Sequence, residues 1–110
     1  MSARGVYRDE LVAQSLQLSN FQPIVGISHT SVTLSPASVA AQTSAEQTFT
    51  LTGLNVGDKV SVAKPTNQAG LGIVNARVSA ANTLAITFMN ATAVAIVPTA
   101  SETYQVSVVR

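Results

Sequence analysis

From about residue 29 to the C-terminus, apolar and polar residues alternate along the chain with a period of two. This alternation is typical of β-strands that bury one face. The alternating positions are rich in valine, isoleucine, threonine and aromatic residues, which favour strands. The apolar members of these runs are Val32/Leu34, Phe49/Leu51, Val60/Val62, Val74/Ala76/Val78, Leu84/Ile86/Phe88, a weaker pair Val94/Ile96, and Tyr104/Val106/Val108.

Turn-forming residues separate these runs at intervals of roughly 8–12 residues, as in sandwiches and small barrels. A tight reversal is expected at residues 80–82, where Asn82 is able to adopt a positive φ. The pattern predicts an all-β fold, a single antiparallel β-sandwich of six or seven strands with jelly-roll or immunoglobulin-like character. Residues 36–46 are the least determined span, open to either a loop or a short helical turn.

The first part of the chain has a different pattern, which divides the sequence into an arm (1–28) and a sandwich domain (29–110). Charged residues are concentrated at the start of the arm, and an apolar stretch follows from Leu11 to Leu18. Either one or two helical turns or an extended strand fits so short a stretch. Pro23 argues against a helix that continues through it.

Charged residues are scarce: they make up 10% of the chain and leave a net charge of +1, whereas an ordinary domain has about 25% charged residues. Without a basic stripe, nucleic acid is not an expected partner. No stretch has the ~20 apolar residues of a membrane span or the apolar core of a signal peptide, so we expect synthesis in a host cytoplasm and no membrane partner. A neutral surface rich in serine, threonine and glutamine costs little to desolvate, which favours association with neighbouring subunits.

No catalytic or metal-binding motif stands out, so we expect no enzyme activity and no cofactor. His29 is the sole histidine and the chain has no cysteine, which leaves too few ligands for zinc. Asp58 is expected to bond local backbone in a turn, and Glu102 to begin a strand as a solvated residue. Gly70 and Gly72 lack the rest of a phosphate-binding loop and indicate a bend or close backbone approach.

Arg77 lies among neutral residues in a predicted strand. Its guanidinium is suited to a bidentate bond with a carboxylate. We therefore consider an inter-subunit contact for Arg77, with a simply solvated arginine as the equal alternative.

The succession of strand and turn segments over residues 45–110 resembles that of small virion proteins of tailed bacteriophages, of the capsid decoration (cement) or head-fibre type. The segments that carry the resemblance are GLNVGDKVSV (53–62), QAGLGIVNARV (68–78), LAITFMNAT (84–92) and PTASETY (98–104). The resemblance implies a β-sandwich, commonly trimeric, that decorates and stabilises the capsid on its surface and docks on the major capsid protein through an N-terminal arm. Under this hypothesis, the docking residues of the arm are Arg4, Arg8, Asp9, Glu10, Leu11, Leu16, Leu18 and Phe21.

The main alternative is a tail or fibre module that adheres to host surface glycans. Such a module needs exposed aromatic side chains on which sugars stack. The aromatic residues of the chain are few, and several of them lie in the apolar phase of predicted strands.

Overall fold

The computed structural model describes residues 26–110, which form six β-strands and contain no helix. The strands are β1 (Ile27–Leu34), β2 (Thr43–Thr50), β3 (Lys59–Ala63), β4 (Leu71–Ala80), β5 (Thr83–Asn90) and β6 (Glu102–Val109). They build two three-stranded antiparallel sheets with strand orders β1-β6-β3 and β2-β5-β4. The predicted all-β antiparallel sandwich is therefore confirmed. Strand β1 begins at Ile27, slightly before the predicted start of the sandwich domain.

Most of the core consists of the apolar side chains that β5 and β6 direct between the two sheets. Leu84, Ile86 and Phe88 of β5 are fully buried, as are Tyr104 and Val106 of β6. These residues are the apolar members of the period-two alternation in the two central strands, each of which has a neighbouring strand on both sides. Burial is greatest there because the edge strands screen the central strands from solvent.

The β4–β5 hairpin turns tightly at Asn82, which has the expected positive φ (59°). Its side-chain Oδ1 accepts a hydrogen bond from the Gly53 backbone N–H at 2.8 Å, and its backbone N–H donates to the Leu54 carbonyl. Asn82 therefore also anchors the loop between β2 and β3 against the hairpin.

The prediction that Val74 faces the core is wrong, because β4 is bulged. The register with β5 shifts between Ile73 and Asn75, so that one extra residue enters β4 and the alternation of faces is reversed. Ile73 packs against the core on one side of the bulge and Val78 on the other, whereas Val74 is 56% exposed. A bulge of this kind changes phase without a clear sequence signal.

The span 36–46 contains no helical turn: its last residues belong to β2, which begins at Thr43. Val39 is fully buried and makes an isolated two-hydrogen-bond bridge with Ile96. The weak pair Val94/Ile96 is thus not a strand; Ile96 makes the bridge and Val94 is 67% exposed. The bridge joins these two irregular segments to each other.

Candidate functional site

The outer surface of the β1-β6-β3 sheet is a largely neutral surface three strands wide. We call it the hydroxyl face. Strand register places its residues in rows across the three strands. The residues of the hydroxyl face are Ile27, His29, Ser31 and Thr33 of β1, Thr103, Gln105, Ser107 and Val109 of β6, and Lys59, Ser61 and Ala63 of β3.

Lys59, at one corner, is the one residue of the hydroxyl face with a permanent charge. Its ammonium donates to the Gly57 carbonyl at 3.3 Å, so it is directed partly back to its own loop. Across the other end of the face, the hydroxyls of Thr33 and Thr103 lie 3.1 Å apart and share a hydrogen bond. Apart from Lys59, the hydroxyl face consists of hydroxyls, one amide, one imidazole and three apolar side chains. Another protein can therefore cover most of it without stripping water from ions.

The carboxylates of the described domain are neutralised within the chain. Among residues 26–110, each of the three acidic side chains forms an ion pair with one basic side chain. The pairs are Glu46–Arg77 at 2.7 Å, Asp58–Arg110 at 3.0 Å and Lys64–Glu102 at 2.9 Å. The remaining surface of this domain therefore offers a partner mostly neutral hydrogen-bonding groups.

Arg77 makes the bidentate bond that its chemistry suggested, but with Glu46 of the same chain. Its Nε and Nη2 donate to the two carboxylate oxygens at 2.7 and 2.8 Å. Arg77 is opposite Ala85, and Glu46 is opposite Thr87, so the pair spans β5 on the outer surface of its sheet. The Arg77 guanidinium holds the pKa of Glu46 below its usual value. A contact of Arg77 with another subunit stays a prediction.

An open cleft of about 380 Å³ lies where the sheet edges β3 and β4 meet. Its apolar side chains are Val62 of β3, Pro65 of the connecting loop, and Leu71 and Ile73 of β4. Lys64 also contributes to the lining, but its ammonium is already engaged by Glu102. The cleft therefore presents no uncompensated charge that would select an ionic ligand.

Glu102 begins β6 as predicted, but the expectation that it is solvated is wrong. Its side chain is only 9% exposed, and the Lys64 side chain only 11%. The Thr66 hydroxyl donates to Glu102 Oε2, and the Lys64 ammonium donates to the Thr66 carbonyl at 3.0 Å. Hydrogen bonding from Thr66, together with the Lys64 ammonium, lowers the pKa of Glu102. This cluster fastens the β3–β4 loop to the start of β6.

Replacing Glu102 by glutamine is expected to destabilise the fold at pH 7 and to reduce its sensitivity to acid. A carboxylate whose pKa is lowered by folding contributes stability above its unfolded pKa, near 4.5, and that contribution is lost as pH falls through the lower, folded value. The difference between wild type and E102Q should therefore shrink below about pH 4.5. Urea unfolding at pH 7, 5 and 3 measures this difference, and E46Q at the exposed pair is the control with the smaller effect. A pH-independent difference would contradict the ionic role of Glu102.

Tyr104 is fully buried next to this cluster on the inner face of β6. Within the described part of the chain, its hydroxyl has no hydrogen-bond partner. Burial, reinforced by the negative charge of Glu102, raises the pKa of Tyr104 to about 12. The phenol therefore remains neutral over the physiological pH range.

Asp58 closes its turn as the sequence predicted. Its Oδ2 accepts the Asn55 backbone N–H at 2.9 Å, and this bond, with the Arg110 guanidinium, lowers the pKa of Asp58. Asp58 adjoins the row of Lys59 and Val109, at the opposite end of β6 from Glu102. At about 3.4 Å per residue the two carboxylates are more than 20 Å apart, too far to act on a single bond as glycosidase carboxylates do.

Asn90, a fully buried polar residue, was not singled out from the sequence. It continues the buried face of Leu84, Ile86 and Phe88 and is itself 0% exposed. Its Nδ2 donates to the carbonyls of Val39 (3.0 Å) and Val94 (2.8 Å). The sequence did contain a signal for this role. Asn90 continues the spacing of the buried apolar residues at the end of a strand, and a buried asparagine requires hydrogen-bond partners.

The arm residues predicted to dock on a capsid, Arg4, Arg8, Asp9, Glu10, Leu11, Leu16, Leu18 and Phe21, lie outside the described residues. Within 26–110, no group of three or more histidine or acidic side chains could hold a metal ion. The described residues also include no helix long and apolar enough to cross a membrane. No protein-family model, curated protein or solved structure matches the chain.

Proposed function

We propose that this protein is a structural subunit of a tailed-phage virion, which decorates and stabilises the capsid as a homo-oligomer of the trimeric kind. In this proposal the N-terminal arm docks on the major capsid protein and the sandwich provides contacts between copies. The observation that carries the proposal is the hydroxyl face, a broad neutral surface on a domain whose carboxylates are all paired internally.

Such a surface suits a protein whose copies surround a symmetry axis. Neutral hydroxyls and amides are inexpensive to bury and can hydrogen-bond across an interface. Several copies that bind together act multivalently, so each arm needs only a weak contact for the set to remain attached. An arm that wraps over a shell gains contact area at the cost of its own conformational entropy.

Adhesion to host glycans is the second candidate, and the aromatic residues of the described domain favour it less. Phe88 and Tyr104 are fully buried, and Phe49 packs against the core. The cleft between β3 and β4 is lined without any aromatic side chain. A sugar ring therefore finds no exposed aromatic face within residues 26–110 on which to stack.

Co-sedimentation with purified, DNA-filled phage heads stripped of accessory proteins tests the proposal. The full chain should bind saturably, whereas charge reversal at two arm positions, R4E/R8E, should reduce the bound fraction at least tenfold. The variant T48E/N75E, which adds two negative charges at exposed positions of the other sheet, is the matched control and should retain binding. Absence of saturable binding to any head preparation would contradict capsid decoration, and specific binding on a glycan array would favour the adhesion candidate.

A further inference from the structure

Within the described range 26–110, strand β1 is an eight-residue sheet edge that lacks the usual protection against pairing with another strand. Its sequence, ISHTSVTL, contains no Lys, Arg, Asp, Glu or Pro. Its register with β6 is continuous from Ile27 to Leu34, without a bulge. Natural edges are ordinarily guarded by charges, prolines, bulges or short length, and β1 has none of these devices.

The other three edge strands of the sandwich are each guarded. Strand β3 is short and begins with Lys59. Strand β4 has two register irregularities. Strand β2 contains Glu46, and its Gln47 side chain bonds both backbone groups of Ala37, which covers that edge. Of the four edge strands that the structure describes, β1 is therefore the one that these features leave available for pairing.

The exposure of β1 also extends to its inner side. Ile27 through Ser31 are all exposed, including Ser28 and Thr30, which share the inner-face phase of buried Val106 and Val108 on β6. Ile27 itself is 67% exposed. Among residues 26–110, therefore, nothing covers the first part of β1 on either face or along its outer edge.

The hydrogen-bond phase of β1 shows which backbone groups are free. Gly26 and Arg110 exchange two backbone hydrogen bonds, at 3.3 and 2.8 Å. In an antiparallel ladder, hydrogen-bonded pairs recur at every second residue, so Ser28, Thr30 and Val32 bond to β6. The backbone N–H and C=O groups of the alternate β1 residues therefore point to the free edge; these residues are Ile27, His29, Ser31 and Thr33.

We propose that the β1 edges of two copies pair antiparallel around a two-fold axis at Thr30. This axis centres the pairing on the residues that precede buried Leu34. It places outward-pointing backbone N–H and C=O groups of the two copies opposite each other: His29 opposes Ser31 of the partner chain, and Ile27 opposes Thr33. The occupant is a second copy because the outward backbone groups of β1 are self-complementary about Thr30. In addition, β1 carries no permanent charge and the chain has a net charge of only +1, so equal copies do not repel. The pairing joins two hydroxyl faces into one continuous six-stranded surface.

This inference rests on the homo-oligomer of the proposed function and adds to it a two-fold contact, which forms a dimer in free solution. In this proposal the trimeric arrangement forms only on the shell. A single edge pairing buries less than the roughly 800 Å² per partner of a standard interface, so we expect a dimer that forms at micromolar concentration. A three-fold arrangement on a shell then requires a second, separate contact.

Disulfide trapping tests the pairing directly, because the chain has no cysteine of its own. At the axis, residue 30 faces its own copy as a non-hydrogen-bonded pair, with Cα atoms about 4.5 Å apart, within the range of a disulfide. Mild oxidation of full-length T30C should therefore give more than half of the chain as covalent dimer. T48C, exposed on the opposite sheet, is the matched control and should remain monomeric on a non-reducing gel.

Light scattering at about 100 μM should give roughly twice the 11.3 kDa mass of one chain. S31P removes only an N–H that points to the free edge, a position where proline is tolerated, and should return the mass to one chain. If S31P fails to fold, T30K is the second variant. It places two ammonium groups opposite each other at the axis and should also return the mass to one chain. Uncross-linked T30C, or a wild-type mass of one or three chains, would overturn the two-fold pairing; loss of head binding by an intact dimer would overturn only capsid decoration.

Discussion

Replacement of Asn90 by alanine is expected to lower the free energy of unfolding by about 3 kcal/mol, the largest effect of any polar substitution in the described domain. Asn90 is fully buried, and both ends of its amide are used. Its Nδ2 serves the Val39 and Val94 carbonyls, and its Oδ1 accepts the Thr92 backbone N–H at 2.8 Å. Alanine leaves these backbone groups without the partner and opens a small cavity in addition.

Urea unfolding followed by circular dichroism measures this loss, with N75A as the control. Asn75 is exposed on β4, so N75A should remain within about 0.5 kcal/mol of wild type. N90D keeps the shape of the side chain but loses both amide donors and buries a charge, and it should be at least as destabilising as N90A at pH 7. A loss below 1 kcal/mol for N90A would mean that the two irregular segments are held by other contacts.

Replacement of Gly70 by alanine is expected to cost about 3 kcal/mol, for two separate reasons. Gly70 has a φ of +81°, where a side chain adds about 1–2 kcal/mol of strain. A Cβ at this position would also clash with the Cγ2 methyl of Thr92. Thr92 cannot simply rotate away, because its hydroxyl oxygen lies 2.7 Å from Asn90 Oδ1 and 2.8 Å from the Val94 carbonyl. Overpacking of this kind adds about 1–3 kcal/mol.

Two further variants separate these contributions in the same unfolding experiment. G57A introduces a side chain at a comparable φ of +99° but with no atom within 4 Å of the new Cβ, so it should show only the strain of about 1 kcal/mol. T92S retains the hydroxyl and removes the obstructing methyl, so the G70A/T92S double variant should recover the steric part. Equal losses for G70A and G57A would refute the close approach of Gly70 to Thr92.

The strands of this protein were predictable from the sequence wherever burial has a strict period of two. Leu84, Ile86 and Phe88, and Tyr104, Val106 and Val108, occupy the inner faces of the central strands as expected. Asn82 and Asp58 were predicted correctly because their turns depend on local chemistry, namely a tolerated positive φ and a carboxylate that bonds nearby backbone. These features depend on residues close in sequence.

The failures share the opposite property, since each depends on residues distant in sequence. Val74 was assigned to the core because the bulge that reverses β4 arises from its pairing with β5. Glu102 was expected in water because Lys64 and Thr66, which enclose it, lie on the loop beyond β3. Arg77 could be recognised as a bidentate donor, but the identity of its partner, Glu46, depends on two strands that flank a third.

The sequence by itself determined the class of the fold, the central strands, the tight turns and the neutrality of the surface, because periodicity, turn propensity and composition are local or additive quantities. The tertiary structure alone decided which strands became edges, and therefore that β1 was left unguarded while β5, equally free of charge, was covered on both sides. It also decided how the charges were distributed into three internal pairs. Strand order and ion pairing are properties of residues brought together only by folding.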